Sequence, residues 1–235
     1  MRVTIDSRRW ARRQAVVIAV LTLLSLAGQV SRLVFHHDRL RGLIPQFDLD
    51  SECNIPSWFQ GATLLVAAGL LALIAHLERQ EGRRGADRWR VLAAGFSIMS
   101  VDEVASLHEN LLAPAAMIHN IPAFRPFSWI YPATLLVMLL AVYFWPWVRS
   151  LPLQTRIRLL WAGTVYLAGA VGFEAIGGIE AITIGLHGWA YVLTYTIEEV
   201  LEMIGVLLLI HALLKHLRER SQVLEIRFGS IAPPP

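Results

Sequence analysis

Residues Trp189 to Leu214 read WAYVLTYTIEEVLEMIGVLLLIHALL. The run exceeds the roughly 20 residues that carry a helix across a bilayer, yet Glu198, Glu199 and Glu202 interrupt it. A carboxylate in the centre of a lone span costs roughly 2.5–3.5 kcal/mol on insertion scales, so three of them would cancel much of the apolar gain. The run is consistent with a membrane helix only if its acids face other helices. That condition predicts an all-α, polytopic membrane bundle with a polar interior.

The rest of the chain supplies the other helices. It is 55% hydrophobic, its mean hydropathy is +0.51, and the apolar residues come in blocks rather than amphipathic stripes. About six transmembrane spans follow from windows of about 20 residues: Ala15 to Phe35, Trp58 to His76, Val91 to Leu112, Trp129 to Val148, Leu159 to Ile179 and Trp189 to Leu214. Arginines gather before the first span (Arg2, Arg8, Arg9, Arg12, Arg13), between the second and third (Arg79, Arg83, Arg84, Arg88, Arg90), between the fourth and fifth (Arg149, Arg156, Arg158) and, with Lys215, after the sixth (Arg218, Arg220, Arg227). By the positive-inside rule both termini are cytoplasmic, and the expected location is the inner membrane of a bacterium. The first span also has the composition of a cleaved signal peptide, with small residues at Ser25-Leu-Ala-Gly28. The net charge of +3 is what positive-inside loops produce, so no nucleic-acid partner is implied.

Residues 1–220 read as a single helical domain and 221–235, ending Pro-Pro-Pro, as a disordered tail. Pro45 and Pro56 in the first outer segment, and Pro114, Pro122 and Pro126 in the second, are expected to break helices there. Trp129, Tyr131, Tyr143, Trp145, Trp147, Trp161, Trp189 and Tyr191 sit near span ends, as an interfacial aromatic belt does. Gly163, Gly169, Gly172, Gly177 and Gly178 suit the fifth span to close helix packing. Cys53 stands alone, which excludes an intrachain disulfide and favours an unreactive thiol.

The acids point to function. In the third span "SVDEVASLHENLL", Ser100 to Leu112, a turn of 100° per residue puts Asp102, Ser106 and Glu109 on one helical face, flanked by Glu103 and His108. In the sixth span Tyr191, Thr194, Tyr195, Glu198, Glu202 and Gly205 form a polar stripe with Glu199 at its shoulder, and the fifth adds Glu174. A rise of about 1.5 Å per residue places all of these in the outer half of the membrane. No Lys or Arg lies in these stretches to balance them. The counter-charge is therefore a proton, a metal ion or a charged substrate.

Carboxylates with imidazole form the ligand set of divalent Zn, Fe, Mn, Mg or Ca, so Asp102, His108, Glu109, Glu198 and Glu202 are candidate metal ligands. Glu103, Glu174 and Glu199 remain as candidate catalytic acid–base groups. In the outer segment, Asp48, Asp50, Glu52 and Asn54 alternate without the glycine or distal Glu of an EF-hand; Glu52 and Asn54 are candidates for capping the acidic site from outside. An acidic loop before a span resembles alkaline ceramidase-type membrane hydrolases, whose zinc is held by His and Asp. Where their late helix carries His-x-x-x-His, this chain has Glu198-Glu199-x-x-Glu202, and membership is not assigned.

Three functions suit this pattern. The first is a metal-dependent enzyme, a hydrolase or oxidoreductase, acting on a lipid or other amphiphile from the outer leaflet. The second is a proton- or cation-coupled transporter or channel using the same intramembrane carboxylates. The third is a non-catalytic membrane subunit or sensor. Membrane lipids and a small amphiphile or cation are the expected partners; the sequence names no protein partner.

Overall fold

The computed structural model describes residues 6–107, 130–185 and 188–220, and all the regular structure among them is helical. The helices are α1 (Ser7–Phe35), α2 (Leu43–Phe47), α3 (Ile55–Gln80), α4 (Ala86–Ala105), α5 (Ile130–Ser150), α6 (Leu153–Leu167), α7 (Glu174–Thr183) and α8 (Trp189–Arg220), with a π-helical turn (Ala168–Phe173) joining α6 to α7. Four stretches are long and apolar enough to cross a membrane: Ser7–Phe35, Ile55–Gln80, Pro132–Ser150 and Leu153–Ala181. This is a helical protein with the composition of a membrane protein. Helices α4 and α8 fall outside that set, and they carry Asp102, Glu103, Glu198, Glu199 and Glu202.

Helix α8 is the mast of the bundle. It packs against α1, α3, α6, the π turn and α7, while α4 lies along α3. Helix α5 turns Leu135, Leu136, Met138, Leu139 and Val142 outward, as a helix facing lipid would. The arginine-rich turns and the ends of α1 and α8 share one end, where the His211 imidazole meets the Ser7 carbonyl; we call it the basic end. The opposite end, carrying the 36–54 connection, is the acidic end.

The basic half is closed by a dry core. Leu64, Ala67, Leu71, Ile74, Trp89, Val206, Ile210 and Leu213 are each at most 1% exposed. Trp147 joins this packing, its ring centroid 4.7 Å from that of Trp89 in an edge-to-face arrangement. That corrects the aromatic-belt reading for Trp147, which packs inward; Trp145 and Trp161 do face outward. Arg220, expected among the cytoplasmic positive charges, is instead an internal clamp: it donates to Glu78 at 2.9 Å and to Glu81 at 2.5 Å.

At the acidic end the prolines start helices rather than break them. Pro45 lies within the first turn of α2, and Pro56 stands in the first turn of α3, where its missing N–H costs nothing. Asn54 caps α3: its Oδ1 accepts from the Ser57 N–H at 3.1 Å while Ser57 Oγ accepts from the Asn54 N–H at 3.0 Å. Its Nδ2 donates to the Pro45 and Asp48 carbonyls. The loop is tied to α1 as well, with the Leu49 N–H donating to Ser25 Oγ and Gln29 Nε2 to Asp48 Oδ1.

Candidate functional site

Close helix approach creates the site. Ser100 Oγ donates to the Gly61 carbonyl at 2.7 Å, drawing α4 onto α3. A Cβ on Gly61 would lie 2.6 Å from Val104 Cγ2 and 3.8 Å from Glu103 Cγ, so the last turn of α4 meets α3 beside Gln60. The π turn sets Gly169 against α8 so tightly that a Cβ there would lie 2.6 Å from the Glu198 carbonyl and 3.0 Å from Glu202 Cγ. Such π turns often mark functional positions, because the extra residue shifts every side chain after it. A Cβ on Gly205 would lie 2.6 Å from Tyr166 Cβ. Of the fifth span's glycines, Gly169 makes a tight approach and Gly177 packs against α8 at an ordinary 3.6 Å from Thr194 Cγ2, whereas Gly163 and Gly172 meet nothing; Gly61 and Gly205 make tight approaches on other helices.

Three polar groups result. The innermost gathers Gln60, Glu103, Tyr166, Glu199 and Glu202. Gln60 Nε2 donates to Glu202 Oε2 at 2.9 Å, and the Tyr166 hydroxyl also hydrogen-bonds Glu202. Glu103 lies within the electrostatic reach of Glu202, Glu52 and Asp102, and Glu199 within that of Glu202, Glu103, Asp50 and Glu174. In the second group the side chains of Glu174 and Glu198 hydrogen-bond to each other.

The third group lies in the outer loop. Arg32, inside the first predicted span, pairs with Asp48 at 3.3 Å; Tyr195 donates to Asp48 at 3.5 Å and Tyr191 to Asp50 at 3.0 Å. Tyr191 is thus a loop clasp, which corrects its place in the aromatic belt. Although Asp50 keeps surface exposure, the protein massed around its carboxyl raises it to about 6; the Tyr191 hydroxyl opposes the rise, and the Asp48 and Glu174 carboxylates add to it. The folded chain therefore holds a proton that the unfolded chain, with a carboxyl near 3.8, releases at lower pH. The stability this contributes is complete below about 4 and is lost as pH rises through about 6. Thermal unfolding in detergent between pH 4 and 7 is expected to show the wild-type midpoint falling relative to that of Asp50→Asn; parallel curves would contradict it.

The placement revises several expectations from the sequence. Helix α4 ends at Ala105, and Ser106 turns left-handed at φ 51°, so the helical register that starts at Asp102 stops before Ser106. His108, Glu109, Trp129 and the 221–235 tail lie outside the described residues, as do Pro114, Pro122 and Pro126. The α8 stripe divides: Tyr191 and Tyr195 serve the loop, Glu198 joins Glu174, and Glu202 joins Gln60 and Tyr166. Glu198 and Glu202 thus have different hydrogen-bond partners, while Glu202 remains within the electrostatic reach of both Glu198 and Glu199. Glu52 faces Glu103 electrostatically, whereas the Asn54 side chain is consumed in capping α3.

Gln60, Tyr166, Gln29 and Arg32 were missed. Each is a polar residue inside an otherwise apolar span, and that isolation was the available signal. Among the described residues no three His, Cys, Asp or Glu side chains converge closely enough to hold a metal by themselves.

A cavity of about 400 Å³ opens between the start of α3 and the end of α4, lined by Gln46, Cys53, Asn54, Ser57, Trp58 and Val104 and by none of the inner group's side chains. Its lip is apolar, with Ile55, Trp58 and Val104 exposed. No curated protein and no solved structure matches the chain. A family model described as a domain of unknown function, DUF8692, matches residues 14–217, and the chain belongs to that family.

Proposed function

We propose that the chain is a six-span protein of the bacterial inner membrane with both termini in the cytoplasm, and that it is an enzyme acting on a lipid or other amphiphile at its outward-facing acids. One observation carries the reading: the carboxyl groups fill the acidic half, while the basic half is sealed by side chains at most 1% exposed. A site with a dry floor suits chemistry on a substrate that enters and leaves by the same side. The cavity with its apolar lip beside α3 and α4 supports an amphiphile as that substrate.

In this reading Glu199 moves protons, Glu202 is oriented by Gln60 and Tyr166, Glu103 lies beside Glu202, and Glu174 and Glu198 stand nearby as further acid–base groups. A divalent metal is the proposed cofactor, with Glu202 and Asp102 as carboxylate donors and His108 and Glu109 as candidates beyond the described residues. When bound, such an ion polarises a carbonyl or phosphoryl oxygen and activates water. Proton-coupled transport is the second reading, favoured by the pairing of the Glu174 and Glu198 side chains; the sealed basic half weighs against it.

The test is turnover of membrane lipids by purified protein in nanodiscs, followed by mass spectrometry. A lipid converted by wild type, with conversion falling about 10²–10⁴-fold in Glu199→Gln, is the expected result. Equal turnover in Glu199→Gln and Glu202→Gln would reject the site. Proton flux into liposomes that stops in Glu202→Gln, without lipid turnover, would establish transport instead.

A further inference from the structure

We propose that Gln60 is a ligand in a site for one hard divalent cation, of the Ca²⁺ or Mn²⁺ class, formed with Glu202 and Glu103 and supported by Tyr166. The inference rests on reading the inner acidic group as the working site. It begins from an atom rather than from the acids. Gln60 is 1% exposed, and its Oε1 is buried with no hydrogen-bond partner, an arrangement native interiors avoid because a buried acceptor forfeits its bond to water.

The same carboxamide donates through Nε2 to Glu202 Oε2 at 2.9 Å. One end of a planar group thus orients a carboxylate while the other end, on the same carboxamide carbon, leaves a buried oxygen unbonded. Both halves are satisfied together if a cation lies there: Nε2 keeps its bond to Glu202, and Oε1 binds the ion. No side chain need flip.

The neighbouring groups suit such an ion. Glu103 follows the close approach of α4 to α3 at Gly61, the residue next to Gln60, and Glu202 is foremost among the charges acting on it. The Tyr166 hydroxyl hydrogen-bonds Glu202, the outer support that fixes a ligating carboxylate. Arg32 cannot neutralise this layer, since it is engaged with Asp48 in the loop.

Carboxylate and carboxamide oxygens are hard donors, and side-chain amide oxygens are ordinary ligands of calcium. The donors this site draws from the described residues are all oxygens, which favours Ca²⁺ or Mn²⁺ over zinc. Two acids and an amide also form a site even though no three acids, His or Cys among the described residues converge on one point.

The full chain in nanodiscs, titrated with Mn²⁺ and followed by the loss of the free-ion EPR signal, tests the site. The expected result is one Mn²⁺ per chain, displaced by Ca²⁺, with affinity at least ten-fold weaker in Gln60→Leu and retained in Gln60→Glu, which restores an oxygen donor. Circular dichroism melts identify any variant that has lost its fold, in which case Glu103→Gln, expected to weaken binding similarly, replaces it. No Mn²⁺ binding by wild type at millimolar concentration, or wild-type affinity in folded Gln60→Leu, overturns the proposal. Lipid turnover that persists in chelator without Mn²⁺ binding removes this site and leaves the enzyme reading; Mn²⁺ binding without turnover of any lipid does the reverse.

Discussion

Gly205→Ala is expected to destabilise the protein by about 2 kcal/mol, against the usual sign for a glycine in a helix. Alanine normally stabilises such a position by roughly 0.5–1 kcal/mol, because it restricts the unfolded chain and covers the backbone. Here the added Cβ would lie 2.6 Å from Tyr166 Cβ and 2.7 Å from its Cα and N. Backbone atoms cannot swing aside, so α6 must move away from α8, and overpacking of this kind costs typically 1–3 kcal/mol and sometimes more. The same displacement draws the Tyr166 hydroxyl away from Glu202. Gly163, on the same α6, meets nothing within 4 Å, and Gly163→Ala is expected to raise stability by up to about 1 kcal/mol. Reversible unfolding in mixed detergent micelles measures both. Two shifts of the same sign would show that the α6–α8 contact is not as tight as the geometry implies.

Arg220→Ala is expected to cost about 3–5 kcal/mol, the range for removing one partner of a buried ion pair. The side chains of Arg220 and Glu78 are 9% and 7% exposed, so removing the guanidinium leaves a carboxylate out of water without its cation. Glu81 loses a partner too, at less cost because its side chain is 45% exposed. Most of the loss comes from the stranded Glu78, so Glu78→Met combined with Arg220→Met should recover much of it. If the double variant is no more stable than Arg220→Ala, the charge is not the cause. The clamp ties the last residue of α8 to α3, about 27 Å along the axis from Glu202 at about 1.5 Å per residue. Breaking it should loosen the axial register that brings Glu202 to Gln60, which hydrogen exchange along α8 would report.

Much of the architecture was legible in the sequence because hydropathy acts residue by residue. A run such as Ile55–Gln80 declares its helix and its environment by composition, whatever its neighbours. The location of the acids was legible for a related reason. Glu198, Glu199 and Glu202 in an apolar helix are too costly to face hydrocarbon, so an acidic interior followed before any partner was known. Helix ends were less legible: nothing in the spacing of Asp102, Ser106 and Glu109 shows that Ser106 turns left-handed and ends α4, because a stop of that kind depends on where the chain must go next.

What the tertiary structure alone decided is which polar groups meet. Helical periodicity placed Glu198 and Glu202 on one stripe, yet the π turn presents Glu174 to the first while Gln60 and Tyr166 reach the second. Gln60 carries no charge, so hydropathy passes over it. Its weight in the site comes from the approach of α4 to α3 that Gly61 permits and of α6 to α8 that Gly205 permits, contacts made by different parts of the chain. Composition and period determine that the chain forms helices and that its acids turn inward. Their pairing is set by rotation, register and a few missing Cβ atoms, which are properties of helices in contact and of no single helix.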